Sequence, residues 1–426
     1  MTRHSLETPS LETPSPEALA HDLFGNSASW SEDDLEQILR ALDEEGTLSG
    51  SPTLRRAGVA EARVSARPTG VECKGVWIDH YRILARLDRG GMGEVFLAAR
   101  QYDGFQTRHA LKVLNPACRR NQDMRSLFGK EMKLLAALDH PNIARFQDAG
   151  ETVNGEPYVV MELVEGQRID RFCAHGDLGV RERIELFRVV CSAVHHAHRN
   201  LIVHGDLKPA NILVTVDGRA TPKLVDFGIA EMVNPVLSCQ SFDDPFHRLM
   251  TPEYASPEQI RGGLISTATD VYSLGLILYE LLTGQRAYTV KGSSHQALQH
   301  QISRQTPLPP SQAVRRWGKN PPHSAKASPP LRTTGNPLGL ARRLEGDLDC
   351  IVLKALEKKP SRRYSSVQAL SEDLRRYLEH HPVHARERTL KVRGEKFLKR
   401  HPLESAFAAV CGIATLGLLV QTAKGL

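Results

Sequence analysis

Between two β-like runs the chain reads Leu87-Asp-Arg-Gly-Gly-Met-Gly-Glu-Val95, with glycines at Gly90, Gly91 and Gly93. Glycines let a backbone approach phosphate oxygens with no Cβ in the way, and the amides of such a turn donate to those oxygens. A tight hairpin that binds nothing uses similar residues, so the turn alone leaves both readings open. Lys112 follows inside the apolar run Ala110-Leu-Lys112. Burying an ammonium group there is costly unless it meets an anion. Glu131, in a helical stretch with Phe128, Met132 and Leu135, is one candidate partner; a solvated Lys and a solvated Glu are the other reading.

A longer series narrows the choice. The segment Ile202-Val-His-Gly-Asp-Leu-Lys-Pro-Ala-Asn-Ile-Leu-Val214 is followed, fifteen residues after Asn211, by Asp226-Phe-Gly228. It resembles the protein kinase family, whose catalytic loop reads H-R-D-L-x-x-x-N and whose metal-binding motif is D-F-G. The glycine-rich turn, Lys112, Glu131, Asp206, Asn211 and the D-F-G triplet stand in family order and at family-like spacing. Ala255-Ser-Pro-Glu258, Asp270-Val-Tyr-Ser-Leu-Gly275 and Arg363 in Pro360-Ser-Arg-Arg-Tyr364 extend the match. The resemblance covers about residues 77–381. Through Gly-Gly-Met-Gly-Glu-Val95 and His140-Pro-Asn-Ile143 it points to bacterial eukaryotic-like serine/threonine kinases. It implies an α+β, two-lobed fold, with a small β-rich lobe at about 77–164 and a larger helical lobe at about 165–381. The activity it implies is transfer of the γ-phosphoryl group of ATP to Ser/Thr hydroxyls of protein substrates, autophosphorylation included.

The same resemblance carries roles for individual residues. Lys112 would hold the α- and β-phosphates of ATP, with Glu131 orienting its ammonium group, and Leu87, Gly90, Gly91 and Gly93 would line the nucleotide. Asn211 and Asp226 would ligate Mg²⁺, since hard oxygen donors suit a hard cation. Asp206 would accept or orient the substrate hydroxyl proton, and Lys208 would neutralise charge building on the γ-phosphate. Val95, Ala110 and Leu213 would sandwich the adenine, with Met161 behind it and the backbone from Glu162 to Val164 bonding the base. Glu258 and Arg363 would form a buried ion pair. Lys208-Pro209, together with Thr251 before Pro-Glu-Tyr, fits the serine/threonine branch.

Three positions depart from the family pattern. Asp88 occupies the usual first glycine and brings a carboxylate toward the phosphates, which weakens ATP binding by repulsion. Gly205 replaces the arginine of H-R-D, and Met250 stands where a glycine often precedes Thr251. None of the three removes a catalytic group. The alternative, a pseudokinase scaffold acting through protein contacts, rests on Asp88 and on the two tails.

The elements that must position these residues follow from periodicity. Short β-branched and aromatic runs at 81–87, 94–100 and 109–114 read as antiparallel strands. Beyond about residue 165 the period turns helical, as at 180–197 and 365–378. Strands precede helices, an α+β order. Residues 305–343 are rich in Pro and Ser, with seven Lys or Arg and no acidic residue from 313 to 343, and read as an exposed insertion.

The ends differ from this frame. Residues 1–75 are rich in Ser, Thr, Pro and Glu, open on a repeated Ser-Leu-Glu-Thr-Pro and have too little apolar surface to offset the entropy of ordering. Within them 31–45 stands out: Ser31 with Asp34 resembles a capping box, and Leu35, Ile38, Leu39 and Leu42 form an i, i+3, i+4, i+7 stripe. A short amphipathic helix is expected there, either docked or transient. At the other end 382–402 is a basic juxtamembrane segment and 403–423 a possible transmembrane helix, near the lower length for a span. Seven Lys or Arg against two Glu from 386 to 400 would keep the kinase on the cytoplasmic side of the membrane. The alternative is a soluble cytoplasmic protein with a buried or amphipathic helix at that end.

With 41% hydrophobic and 24% charged residues the chain has an ordinary globular composition. Cys73, Cys118, Cys173, Cys191, Cys239, Cys350 and Cys411 are scattered, with no C-x-x-C pair, which reads as reduced thiols rather than zinc or disulfides. No apolar core follows Arg3, so a cleaved secretory signal is not expected. The net charge of +6 conceals eleven Asp or Glu against Arg3 and Arg40 in the first fifty residues. The remaining basicity is spread over loops, without a helix-turn-helix, zinc finger or aromatic stacking motif, so nucleic acid is not an expected partner. The oligomeric state is not legible.

Overall fold

The computed structural model describes residues 75–90, 93–114, 132, 135–226, 252–288, 295–319 and 337–386. Contacts divide the chain into two units, residues 1–120 with 146–167, and residues 121–145 with 168–426.

The first unit is a six-stranded antiparallel sheet. Strands β1 (Trp77–Ile78), β2 (Tyr81–Gly90), β3 (Gly93–Tyr102), β4 (Phe105–Leu114), β5 (Phe146–Glu151) and β6 (Pro157–Glu162) lie in the order β1-β2-β3-β4-β6-β5. The three N-terminal strands outrun the apolar runs that signal them, because pairing continues into both turns: Gly90 meets Gly93, and Tyr102 meets Phe105. Tyr81, Ile83, Phe96, Ala98, Leu111, Tyr158 and Val160 form the buried cluster of this unit. Register shifts between Ile83 and Ala85 and between Arg86 and Asp88 bend β2 as it enters the glycine-rich turn.

The second unit is mainly helical. Its elements are α1 (Ile169–His175), α2 (Val180–Arg199), the hairpin β7 (Ile212–Asp217) and β8 (Arg219–Leu224), α3 (Pro257–Ile260), α4 (Thr267–Thr283), α5 (His295–Arg304), α6 (Pro310–Lys319), α7 (Pro337–Leu344), α8 (Asp347–Ala355) and α9 (Val367–Leu378). Residues 142–144 join it through the β8 end, where Ala144 donates to the Leu224 carbonyl at 2.8 Å and Leu224 to that of Asn142 at 2.9 Å. Helix α4 is its axis, buried on nearly every side, which is why its sequence is apolar all round. At Gly275 an added Cβ would stand 2.9 Å from that of Ala355, so α8 packs directly against backbone. The helix ends at Gly284, whose φ of 70° and amide bond to Glu280 form a left-handed cap. Ser366 caps α9 by accepting from the Ala369 amide at 3.1 Å.

The expectation of an exposed insertion at 305–343 is corrected at both ends. Helix α6 buries Ala313 and Val314, and α7 buries Leu340, Ala341 and Leu344. Pro310 and Pro337 each open a helix, where a missing amide proton costs nothing. The arginines alternating with the apolar positions obscured that spacing. Residues 31–45 and 403–423, and the basic segment beyond Arg386, lie outside the described residues. Among the described residues no helix is long and apolar enough to cross a membrane.

Two cations, one buried and one half-buried, knit the second unit. Arg363 donates from both Nη atoms to the two Glu258 carboxylate oxygens, at 2.6 and 2.7 Å, and also reaches the carbonyls of Ala268 and Glu357. Burial pushes the Glu258 carboxyl up, but the hydrogen bonds and charge of Arg363 outweigh it and hold the group below the usual carboxylate range. Lys358 donates to Ile302 O at 2.7 Å and to the hydroxyls of Tyr288 and Tyr272 at 2.5 and 3.3 Å. Burial, reinforced by the nearby Arg363 and Arg261 charges, lowers its pKa to about 8. Arg363→Ala strands a buried carboxylate, so urea unfolding should show a loss of about 3–5 kcal/mol. A loss below about 1 kcal/mol would place the pair among ordinary surface bridges. Since the folded pKa of Glu258 is the lower one, this contribution is full above the unfolded carboxylate pKa. It fades as pH falls through the folded value, and the gap between variant and wild type narrows with it.

Candidate active site

In the first unit, Leu87 and Gly90 lie on β2, Gly93 opens β3, and Gly91 falls outside the described residues. Gly93 has φ 149°, and an added Cβ would stand 2.1 Å from the Val113 carbonyl oxygen, so only glycine fits where β3 crosses β4 so closely. The exposed Asp88 turns back on its own backbone: Oδ1 accepts from the Arg89 amide at 2.8 Å, while Arg89 pairs across the hairpin with Glu94 at 3.2 Å. Val95 sits opposite Lys112, and Ala110 opposite Met161. With side chains alternating along each strand, these four share one face of three adjacent strands. Lys112 is only 3% exposed. Glu162 ends β6 and Val164 follows it; Glu131 lies outside the described residues.

In the second unit, Asp206, Lys208 and Asn211 converge in the segment between α2 and β7. Lys208 Nζ donates to Asp206 Oδ2 at 2.7 Å, and Asn211 Nδ2 donates to the Asp206 carbonyl at 2.8 Å and to Oδ2 at 3.3 Å. Val225 donates to the Asn211 carbonyl at 2.9 Å, which brings the next residue, Asp226, alongside. Asp226 has a left-handed φ of 58°, sparsely populated for a residue with a Cβ. Leu213 lies on β7 opposite Lys223.

Sequence reasoning did not find what fixes this segment. Asp270, in the first turn of α4 and fully buried, accepts from the amides of His204 at 2.8 Å and Gly205 at 2.9 Å, and from His198 Nε2 at 2.7 Å. Gln259 grips the other side, its Nε2 donating to the Gly205 carbonyl at 2.7 Å while its Oε1 accepts from the Ser256 amide at 2.9 Å. Gly205 itself has φ 74°. Burial holds the His204 imidazole below its usual pKa, so it packs as a neutral ring. Two signals pointed here: an acid inside an apolar helix, which is unaffordable without donors, and the Ser256-x-x-Gln259 capping pattern. Of the clustered histidines, His198 serves Asp270 and the His196 ring lies against that of His140 with centroids 5.0 Å apart. Among the described residues no group of His, Cys, Asp or Glu is arranged to hold a metal by itself.

The donors nevertheless suit a cation that arrives with a polyphosphate. The Asn211 amide directs its NH₂ at Asp206, which leaves its oxygen as the available ligand atom, and the backbone bond from Val225 ties the strand end that carries Asp226 to Asn211. Residues 81–374 match the family model described as the protein kinase domain, and the chain belongs to that family. Its α+β architecture, a curled sheet followed by helices, is the kinase fold. It is similar to serine/threonine-protein kinase PknB of Mycobacterium tuberculosis, 35% identical over 300 residues that cover 70% of this chain and 42% of the relative. It is also similar to serine/threonine-protein kinase PrkC of Bacillus subtilis, 33% identical over 297 residues, 69% of this chain and 40% of the relative. The chain thus spans about two fifths of the length of these curated relatives. Among solved structures, the Mycobacterium tuberculosis PknI kinase domain is 25% identical, covering 71% of this chain and 98% of that one, with a TM-score of 0.49.

Asp270→Asn replaces one acceptor oxygen by a donor facing backbone amides. A buried donor left unsatisfied costs about 1–3 kcal/mol, so unfolding free energy should fall by about that much and the His204 and Gly205 amides should exchange with deuterium faster. Unchanged exchange at both would dismiss Asp270 as their anchor.

Proposed function

We propose that this protein is a serine/threonine protein kinase that moves the γ-phosphoryl group of ATP onto hydroxyl side chains of proteins, itself included. The observation that carries the reading is the Asp206, Lys208 and Asn211 cluster, cross-bonded at 2.7 and 2.8 Å on a segment held from both sides. Phosphoryl transfer is mostly positioning and charge neutralisation, and such a cluster supplies both. Asp206 offers a carboxylate to the acceptor hydroxyl, orienting its oxygen and taking its proton as the new P–O bond forms and the bond from the γ-phosphorus to the bridging oxygen breaks, with ADP leaving. Lys208, tied to the same carboxylate, keeps a positive charge where the transferred group gathers negative charge. Asn211 and Asp226 would hold Mg²⁺, which offsets the charge of the phosphates when bound. Lys112 is assigned the α- and β-phosphates and Glu131 its orientation, with Gly90, Gly91 and Gly93 keeping the turn free of side chains.

Lys208-Pro209 and the names of the relatives both support Ser/Thr as the acceptors. Asp88 counts less against ATP than its position suggests, since one carboxylate oxygen is already engaged by the Arg89 amide. Full-length protein incubated with radiolabelled ATP, Mg²⁺ and a generic basic substrate should label Ser and Thr. Asp206→Ala, Lys112→Ala and Asp226→Ala should each lower the rate at least about 10³-fold with binding-site folding intact. Full incorporation by Asp206→Ala would leave the pseudokinase scaffold as the reading.

We further propose that residues 403–423 anchor the chain in the cytoplasmic membrane with the kinase on the cytoplasmic side. The support is the sequence: the apolar run 406–420, extended over 403–423 to about 20 residues, the length of a minimal span, behind the basic flank 382–402. Full-length protein should stay with the membrane pellet through high-salt and carbonate washes. Release by either wash would replace the span by the soluble alternative.

A further inference from the structure

The peptide group that joins Gly205 to Asp206 is gripped at its oxygen. Gln259, only 3% exposed, donates from Nε2 to the Gly205 carbonyl at 2.7 Å. Its Oε1 accepts from the Ser256 amide at 2.9 Å, and its own backbone amide donates to Ser256 Oγ at 3.3 Å. Chemistry fixes which way the carboxamide points: a backbone N–H can only donate and a carbonyl only accept, so Oε1 faces Ser256 and Nε2 faces Gly205. A capping box needs only the oxygen. The donor is directed instead at a residue 54 positions earlier in the chain. Asp270 and Gln259 act on different peptide planes. Asp270 accepts from the amides of His204 and Gly205, which belong to the two planes before Gly205 Cα. Gln259 holds the next plane, the one that carries Asp206. Because a peptide is flat, the direction of the Gly205 carbonyl sets the direction in which Asp206 departs. Gly205 turns sharply between the two grips, with a left-handed φ of 74° that glycine enters freely. If Gln259 let go, this plane could rotate about ψ of Gly205 with both Asp270 bonds intact. The bonds to Asp206 from Lys208 and Asn211 come from two and five residues along the same segment and would travel with it.

We propose that Gln259 is a positioning residue for phosphoryl transfer, aiming Asp206 through the oxygen of the Gly205 peptide. The inference rests on the reading that gives Asp206 the acceptor hydroxyl. A carboxylate in that role must stay within hydrogen-bond reach of one oxygen, and a misplacement of about 1 Å can cost about 10²-fold in rate. Gln259 acts on the rate of the step and not on the hold on the nucleotide, because Lys112 and the glycine-rich turn, to which ATP is assigned, lie on other elements. Its capping bonds to Ser256 serve a second purpose, since they hold the carboxamide in the orientation that presents Nε2 to Gly205.

The test uses the full chain with Mg²⁺, radiolabelled ATP and a generic basic substrate, at a temperature below the melting point of every variant compared. Gln259→Glu keeps an oxygen for the Ser256 amide and turns a second oxygen, without a proton, toward the Gly205 carbonyl. Gln259→Met is neutral and of similar length, and it stands in where a buried charge costs the fold. Both should lower kcat at least about tenfold while the KM for ATP stays within about twofold of wild type. Ser256→Ala controls for the stability of α3. It removes the Oγ cap but keeps the backbone amide that orients the carboxamide, so the melting temperature should drop while kcat stays within about threefold of wild type. Three results would overturn the proposal: wild-type kcat in Gln259→Met, a loss carried by the KM for ATP, or a fall in kcat for Ser256→Ala as large as for the Gln259 variants. If wild-type protein transfers no phosphate, the phosphotransfer reading fails by itself, and hydrogen–deuterium exchange then decides the tie. The Asp206 amide should exchange at least about fivefold faster in Gln259→Met than in wild type, and equal exchange would overturn the tie as well.

Discussion

A carboxylate with no exposure to solvent sits in the first turn of the most deeply buried helix, and the chemistry of the second unit hangs from it. Asp270 receives two consecutive backbone amides and an imidazole nitrogen, a full coordination for an ion that would otherwise be very costly to bury. The dipole of α4 adds to its stability, since the acid lies at the positive end. What the carboxylate gains in solvation it returns as geometry. Two successive amides directed at one group leave the backbone at His204 and Gly205 little freedom, and Asp206 follows directly. Gln259 closes the opposite side from α3. A segment with no regular secondary structure is thereby positioned by two helices.

The same economy recurs around the other buried charges of this unit. Arg183 is almost fully buried with no ion-pair partner among the described residues: its guanidinium is solvated by the carbonyls of Leu178, Leu281 and Cys173, at 2.7, 2.8 and 2.7 Å. Arg363 has its acid but still spends donors on carbonyls. Each ion ties segments far apart in sequence, and each would be a liability if any one partner were lost. Such charges specify how helices meet more than they add net stability, because an apolar core of equal volume would be at least as favourable.

Much of the candidate site was legible in the sequence because the chemistry proposed for it tolerates few substitutes. An aspartate, a lysine and an asparagine at fixed intervals in Asp206-Leu-Lys-Pro-Ala-Asn211 have meaning before any fold is known, and the ion pair of Glu258 with Arg363 followed from motif order. What stayed hidden depends on tertiary context. Asp270 shows in the sequence only as the start of a matching stretch, since nothing local says that two amides some 65 residues earlier will point at it. Helices α6 and α7 lie in a stretch whose Pro, Ser and arginine content reads as surface, because a long side chain shows its charge in composition while its stem covers the core.

Helix α5 shows what such long-range contacts do to unfolding. The last carbonyls of a helix have no partner within it, and here they are met from outside. Lys358 reaches Ile302 O, Arg261 reaches Ser303 O at 2.6 Å, and the Tyr288 hydroxyl donates to Gln305 O at 3.2 Å. Three stretches of chain, from before and after the helix, close one terminus. An end capped in this way does not fray freely: releasing the last turn takes a carbonyl from Lys358, which keeps the Tyr272 and Tyr288 hydroxyls, and takes the acceptors at this end from Arg261 and Tyr288. Opening of the α5 terminus is therefore coupled to the segments that cap it, and its free energy lies above the small value usual for a helix end.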